Sequence, residues 1–264
     1  MVLKEERLHK IIEWIKTENH LSVKDLSARL QVSTMTVWRD LGELEKAGEI
    51  RRVRGGAARS LDLLSEEPFF DYKTVLNSDI KCNISQYAAE NLVGNNQIII
   101  LEGGTTVGSI VPFLDKASLT VLTNGLNTLV AASQMLPHLN VIGCGGMLRQ
   151  KSLTFVGPQA EMFFENFHAD QFFLGASGIT LEEGITDPNP LEIQIKRAMH
   201  RAARRTVLLL DSTKFGRRSL APILPLQEID VLVTDSNAPG EMVEQLQSLG
   251  IEVHIACNDT LNSG

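Results

Sequence analysis

Two serine-opened helices in the first fifth of the chain constrain its fold more than any other feature. Ser22-Val-Lys-Asp-Leu opens one, and Val32-Ser33-Thr-Met-Thr-Val-Trp-Arg39-Asp-Leu41 opens the other, with Leu30-Gln31-Val32 as the tight turn between them. A serine at the N-cap accepts a hydrogen bond from a free N–H of the helix start, and Ser22 followed by Asp25 has capping-box spacing. Apolar Val23, Leu26 and Leu30, then Val37, Leu41 and Leu44, recur at helical spacing and pack the two helices together. Thr34, Met35, Thr36, Trp38 and Arg39 remain outward on the second helix, a set suited to the edges of bases in a DNA major groove.

The neighbouring segments complete a three-helix unit. Upstream, Leu8, Ile11, Ile12 and Ile15 give a helix with one apolar stripe. Downstream, Gly48 reads as a helix stop. The run Glu49-Ile50-Arg51-Arg52-Val53-Arg54-Gly55-Gly56-Ala57 reads as a short hairpin whose arginines lie on phosphates or in a minor groove. This is the pattern of a winged helix-turn-helix, predicted over residues 1–58, with Ser22, Ser33, Arg51, Arg52 and Arg54 added to the outward set as candidate DNA contacts.

Charge divides the chain in the same place. The whole sequence carries a formal net charge of −7, which by itself argues against a nucleic-acid binder. The first sixty residues, however, hold twelve Lys/Arg against nine Asp/Glu, and the remainder thirteen against twenty-three. One module is built to meet a polyanion and the other is not. An excess of three positive charges is modest, so two or more copies acting together are expected, as a homodimer or homotetramer.

Several classes are excluded. No stretch approaches the roughly 20 apolar residues needed to span a bilayer, and Lys4-Glu5-Glu6-Arg7 stands where a signal peptide would be apolar. No membrane association is expected. Cys82, Cys144 and Cys257 are too scattered for a disulfide framework or thiolate metal site, and the histidines lack ligand spacing. No metal or cofactor is expected, and a reducing cytoplasm is the default compartment.

Residues 59–79, broken by Ser65-Glu66-Glu67-Pro68, read as a linker. Beyond it short apolar runs alternate with helical stretches. The strands expected are 97–101, 119–123, 140–143, 171–174, 206–210, 230–234 and 252–256. Helices are expected at 80–93, 106–114, 126–135, 191–203 and 240–249. The class is α/β: a mostly parallel sheet over residues 80–264, buried on both faces.

In such sheets ligands bind beyond the carboxyl ends of the strands. The first strand is followed there by Glu102-Gly103-Gly104-Thr105-Thr106, which leads straight into a helix and suits a phosphate. It matches neither a P-loop nor a G-x-G-x-x-G fingerprint, so nucleotide binding is not indicated. A strand-to-helix turn without a ligand has the same composition. Asn124, Gly145-Gly146 with Arg149, Ser177-Gly178 and Lys214 follow other strands. Arg149 and Lys214 match an anion, while Glu102 and Asn124 suit sugar hydroxyls.

Taken together these residues resemble the DeoR family of bacterial transcriptional regulators. The N-terminal likeness rests on Val32 to Leu41, Leu44 and Arg54-Gly55-Gly56-Ala57. The C-terminal likeness rests on Lys81, Gly104-Thr105-Thr106, Thr123-Asn124, Gly145-Gly146, Arg149, Gly157-Pro158, Gly175 to Ile179, Lys196 and Asp211 to Gly216. The resemblance implies a sensor domain akin to ribose-5-phosphate isomerase that binds a phosphorylated sugar or related anionic metabolite. It implies a repressor of a carbohydrate-utilisation operon acting on double-stranded operator DNA. The effector residues it implies are Lys81, Glu102, Gly104, Thr105, Thr106, Asn124, Gly146, Arg149, Ser177, Gly178 and Lys214.

Three positions depart from the family pattern. Trp38-Arg39 stands where an Arg-Arg pair is usual, exchanging a cation for an indole that suits a thymine methyl or packs against the first helix. Arg54 replaces a common histidine, and Glu102 is one methylene longer than the usual aspartate. Two rival readings stand beside the regulator. In the first, a sugar-phosphate isomerase-like enzyme uses Glu102, Asp211 and Lys214 for proton transfer and carries an appended DNA-binding module. In the second, a DNA-binding protein uses its Gly-rich surface for a protein partner.

Overall fold

Helix α1, Lys4–Glu18, lays Leu8, Ile11, Ile12 and Ile15 along one face, and that face is buried. The computed structural model describes residues 3–18, 20–47, 49–53, 55–59, 70–116, 118–135 and 139–256, and the chain divides into two units, Met1–Leu76 and Asn77–Gly264.

In the first unit a short strand β1, His20–Ser22, leads into α2, Val23–Leu30. The Ser22 hydroxyl accepts the Asp25 N–H at 3.1 Å and donates to the Asp25 carboxylate at 2.6 Å. Gln31, with φ of 53°, ends α2 in the left-handed region. Helix α3, Thr34–Lys46, follows, and the Ser33 hydroxyl accepts the Thr36 N–H at 3.2 Å. Both serine caps are therefore real. Val23, Leu26, Leu30, Val37, Leu41 and Leu44 join the α1 stripe in one apolar core.

Strands β2, Ile50–Val53, and β3, Gly56–Arg59, form the expected hairpin. It is the outer part of a three-stranded sheet in the order β1-β3-β2, because β1 pairs antiparallel with β3. A Cβ at Gly56 would lie 2.2 Å from the Leu21 carbonyl oxygen, so only glycine admits that pairing. Gly48, Arg54 and residues 60–69 lie outside the described residues, and with them the helix stop, one wing arginine and the first half of the expected linker, including its Ser65-Glu66-Glu67-Pro68 break. What is described of residues 59–79 is not plain linker. Arg59 is in β3, α4 spans Phe70–Val75, and α5 begins at Ser78.

The second unit is a doubly covered sheet. Its elements are α5 (Ser78–Leu92), β4 (Ile98–Leu101), α6 (Thr105–Gly108), β5 (Leu119–Thr123), α7 (Leu126–Ser133) and β6 (Leu139–Gly143). The hairpin β7 (Met147–Arg149) and β8 (Thr154–Val156) follows, then α8 (Pro158–Glu165) and β9 (Ala169–Leu174). Next come β10 (Gly178–Thr180), β11 (Gly184–Asp187), α9 (Pro190–Arg201) and β12 (Ala203–Leu209). The last are β13 (Ala221–Leu224), β14 (Val231–Asp235), α10 (Gly240–Ser248) and β15 (Glu252–Ala256).

Seven strands pair in the order β15-β14-β12-β9-β4-β5-β6, every pairing parallel. β10, β11 and β13 form a separate antiparallel layer. The inner strands are apolar on both faces and buried along nearly their whole length, whereas the edge strands β6 and β15 alternate with exposed residues. Two apolar cores result. One is built around Phe164, Phe172 and Met199, the other around Ile84, Ile99 and Phe173.

Strand order fixes where a ligand site belongs. The chain enters the sheet at β4, moves outward to β5 and β6, then returns to the other side of β4 at β9 and proceeds to β12, β14 and β15. The direction reverses between β4 and β9. The region beyond the strand ends at such a reversal is where open α/β sheets hold ligands.

Candidate DNA-reading face and ligand site

On α3 the buried residues are Val37, Asp40, Leu41 and Leu44. At a helical repeat of about 100° per residue, Met35, Trp38, Arg39, Gly42 and Lys46 share the opposite face. Of the outward set read from the sequence, Thr34, Met35, Trp38 and Arg39 are exposed and Thr36 is half-buried. Ser22 and Ser33 serve as caps, and the Thr36 hydroxyl lies 3.0 Å from that of Ser33.

Two ties hold this face in place. Arg7 of α1 grips Asp40 of α3 through Nε and Nη2, one edge of its guanidinium, at 2.5 and 3.1 Å, and both side chains are buried. The hydrogen bond to Asp40 raises the Arg7 guanidinium above its ordinary value, against the opposing effect of burial. The Arg52 backbone N–H and Nε meet the two Glu45 carboxylate oxygens at 3.0 and 2.5 Å, so Arg52 joins the wing to α3. The side chain of Arg51 and all of Arg54 lie outside the described residues.

Beyond the carboxyl ends of β4 and β9, Glu102 and Gly175 are the first residues after the two strands. The buried Glu102 carboxylate accepts the Gly175 N–H at 3.3 Å and lies 3.4 Å from Lys196 Nζ. Lys196 projects from α9, donates to the Gly175 carbonyl at 3.0 Å, and pairs with Asp187 at the end of β11. Burial alone would lower the Lys196 ammonium, but Asp187, Glu102 and Glu192 outweigh it and hold the group well above the ordinary lysine value. Ser177 donates to the other Asp187 oxygen at 2.7 Å. Gly178 is the buried first residue of β10.

One turn before Lys196 on α9 stands Glu192. Its Oε1 collects three donors: Arg149 at 2.6 Å, Ser152 at 2.7 Å and Thr154 at 2.5 Å. Its Oε2 is buried with no hydrogen-bond partner among the described residues. Arg149, read from sequence as an anion ligand, is thus engaged with a buried carboxylate. Thr154 also touches the glycine loop, since a Cβ at Gly103 would fall 2.5 Å from its methyl and 2.7 Å from the Gly125 Cα.

Asn124, expected to meet a sugar, is wholly buried. Its carbonyl accepts the Gly103 N–H at 2.9 Å and its amide donates to the Phe155 carbonyl at 3.2 Å, so it fixes the loop after β4. Gly104 caps α6, and Thr105 and Thr106 form its half-buried first turn. Beneath them Ser85 of α5 donates to the Thr106 carbonyl at 2.6 Å, while Asn77 donates to Asp211 at 3.3 Å. Lys81 falls between these two contacts at four-residue spacing, and is buried. Lys214 ends the turn capped by Asp211. Gly146 is the exception, exposed in the turn before β7.

The structure therefore brings Lys81, Glu102, Gly104, Thr105, Thr106, Ser177 and Lys214 to the carboxyl ends of β4, β9 and β12. It adds Asp187, Glu192, Ser152 and Thr154, which sequence reasoning missed. A signal for one of these four existed. Glu192 and Lys196 sit at i and i+4 in the stripe of α9 otherwise filled by Ile193, Ile195 and Met199, where a solvated charge has no place. No helix among the described residues is long and apolar enough to cross a membrane.

Comparison with known proteins agrees with both units. Residues 7–61 match the model of the DeoR-like helix-turn-helix domain, and residues 76–236 that of the DeoR C terminal sensor domain. A regulator from Listeria innocua, the HTH-type transcriptional regulator GolR, is 39% identical over 254 residues, covering 95% of this chain and 98% of the relative. A putative aga operon transcriptional repressor from Escherichia coli O157:H7 is 36% identical over 250 residues, covering 94% and 92%. Among solved structures, ribose 5-phosphate isomerase A from Methanocaldococcus jannaschii aligns with a TM-score of 0.39 at 16% identity, over 53% of this chain and 55% of the isomerase.

Proposed function

The chain belongs to the DeoR family of transcriptional regulators, and from that premise we propose that it represses a carbohydrate-utilisation operon under the control of a phosphorylated sugar. DNA binding with ligand control is the family's business, and the relatives named above are regulators rather than enzymes. The carboxylates an isomerase would use agree with that. Glu102 is engaged by Lys196 and the Gly175 N–H, and Asp211 by Thr213 and Asn77.

One observation carries the ligand reading: a buried polar cluster gathered from β4, β9, β11 and α9 at the reversal point of the sheet. Burying Glu102, Asp187, Glu192 and Lys196 together costs desolvation that apolar residues of the same volume would avoid. The Glu192 Oε2 atom has accepting capacity to spare, which suits a sugar hydroxyl. Backbone N–H groups and hydroxyls at Gly104 to Thr106, with Lys214 and Lys81 nearby, suit a phosphate. Arg149 is assigned to holding Glu192 rather than to the phosphate itself.

As a homodimer or homotetramer the protein sets its α3 helices in successive major grooves, and the bound sugar phosphate favours one of two arrangements. The protein acts in the cytoplasm. The test is thermal unfolding of the full chain against a panel of sugar phosphates and their unphosphorylated parents, followed by DNA affinity with and without any hit. A ligand at 100 times its Kd stabilises by about 2.7 kcal/mol. Stabilisation by the unphosphorylated parent alone removes phosphate recognition. No shift with any member favours a protein partner at this surface.

A further inference from the structure

The outward face of α3 carries two features that nothing inside its own unit explains. Met35 is 78% exposed and Trp38 39% exposed, side by side on one helix face. Adjoining apolar groups on the face turned away from the core are placed to cover an apolar group of whatever that face meets. The second feature is Gly42, one turn beyond Trp38 on the same face. Glycine in a helix interior costs stability relative to alanine. Here no packing asks for it: an added Cβ would meet nothing closer than Arg52 Nη1 at 4.0 Å, and its backbone is ordinary helix.

A glycine with room for a methyl group, placed between an indole and the cationic Lys46, makes sense when the close neighbour is outside the protein. We propose that α3 reads thymine. Met35 and Trp38 cover C5-methyl groups on the major-groove edge, Arg39 beside them makes a cationic base contact, and Gly42 lets the groove wall approach the helix backbone. The inference rests on the DNA-binding role of this unit and specifies its ligand: a half-site with thymines facing residues 35 and 38. Apolar side chains pair with the thymine methyl, whereas an arginine fork pairs with guanine.

The experiment begins with selection of binding sites from a random duplex library by the full chain. Affinity is then measured on the recovered duplex and on copies carrying deoxyuridine for thymine, one position at a time. That exchange removes a methyl and leaves every hydrogen-bonding group in place. Loss of about fourfold per contacted methyl is expected, and it should vanish in Trp38→Ala or Met35→Ala at the thymine each residue covers. Gly42→Ala should raise the melting temperature of the free protein while weakening its binding to the same duplex. Indifference to deoxyuridine at every thymine overturns the inference, as does full affinity in Gly42→Ala. Failure to recover any preferred sequence removes sequence-specific DNA binding itself, a different result from a recovered site that ignores its methyls.

Discussion

The two units bury charge in the same way but place their function on opposite sides of it. In the first, the buried pair Arg7–Asp40 clamps α3 against α1, and the residues proposed to read DNA point away from it into solvent. In the second, the buried cluster of Glu102, Asp187, Glu192 and Lys196 is itself the proposed site. The side chains of Met35, Trp38 and Arg39, proposed to read bases, have no hydrogen bond or ion pair among the described residues, whereas Glu102, Asp187, Glu192 and Lys196 are each held by another residue of the sensor. A substitution therefore separates binding from folding in the DNA-reading unit and couples them in the sensor.

The sharpest way to break that contrast is Lys196→Met. It leaves Glu102 and Asp187 buried without their cation, and a loss of about 3–5 kcal/mol is expected in denaturant unfolding. A loss below about 1 kcal/mol would mean that the carboxylates are not held by the lysine. Asp40→Ala strands Arg7 in the same manner and should cost a similar amount, whereas replacing Arg7 and Asp40 together by leucine should cost far less. Arg39→Ala tests the other side of the comparison. Its stability should stay within about 0.5 kcal/mol, while binding to the preferred duplex weakens by about 1–3 kcal/mol and binding to random duplex changes little. Equal losses on both duplexes would assign Arg39 to phosphate. Smallest is Ser33→Ala, which removes the α3 cap and should lower unfolding free energy by about 1 kcal/mol.

The same contrast governs what could be read from the sequence. Capped helices and buried parallel strands announce themselves by local pattern, so Leu119–Thr123 and Glu252–Ala256 are found to the residue and the Ser22 and Ser33 caps are found by name. The antiparallel layer of β10, β11 and β13 is not found, because strands of three and four residues are too short to show a period. Helix α8 is missed for want of an uninterrupted apolar stripe, and β7 hides in a segment read as a glycine loop. In the candidate site, Glu102, Thr105 and Lys214 are legible because they follow strands directly. Asp187 is not, since its partner Lys196 is reached only through the fold, and the i, i+4 spacing of Glu192 and Lys196 in the stripe of α9 signals a buried pair of charges without naming Arg149 as a partner. Asn124 and Arg149 show the converse: residue types suited to a ligand, used to hold loops and a buried acid in position.

The reversal of strand order beside β4 also has a consequence for how the molecule comes into being. A ribosome delivers the DNA-reading unit complete and self-contained, with contacts between residues near in sequence, a topology that folds quickly. Glu102 emerges next, at the end of the first strand of the sensor sheet, and must wait for β9, β11 and α9 before Gly175, Asp187 and Lys196 reach it. The nascent chain thus passes through a period in which the helix-turn-helix residues are all present while the residues of the proposed sugar site have yet to meet. A chain cut short before α9 keeps the helix-turn-helix residues and lacks Lys196, the cation that the buried carboxylates share.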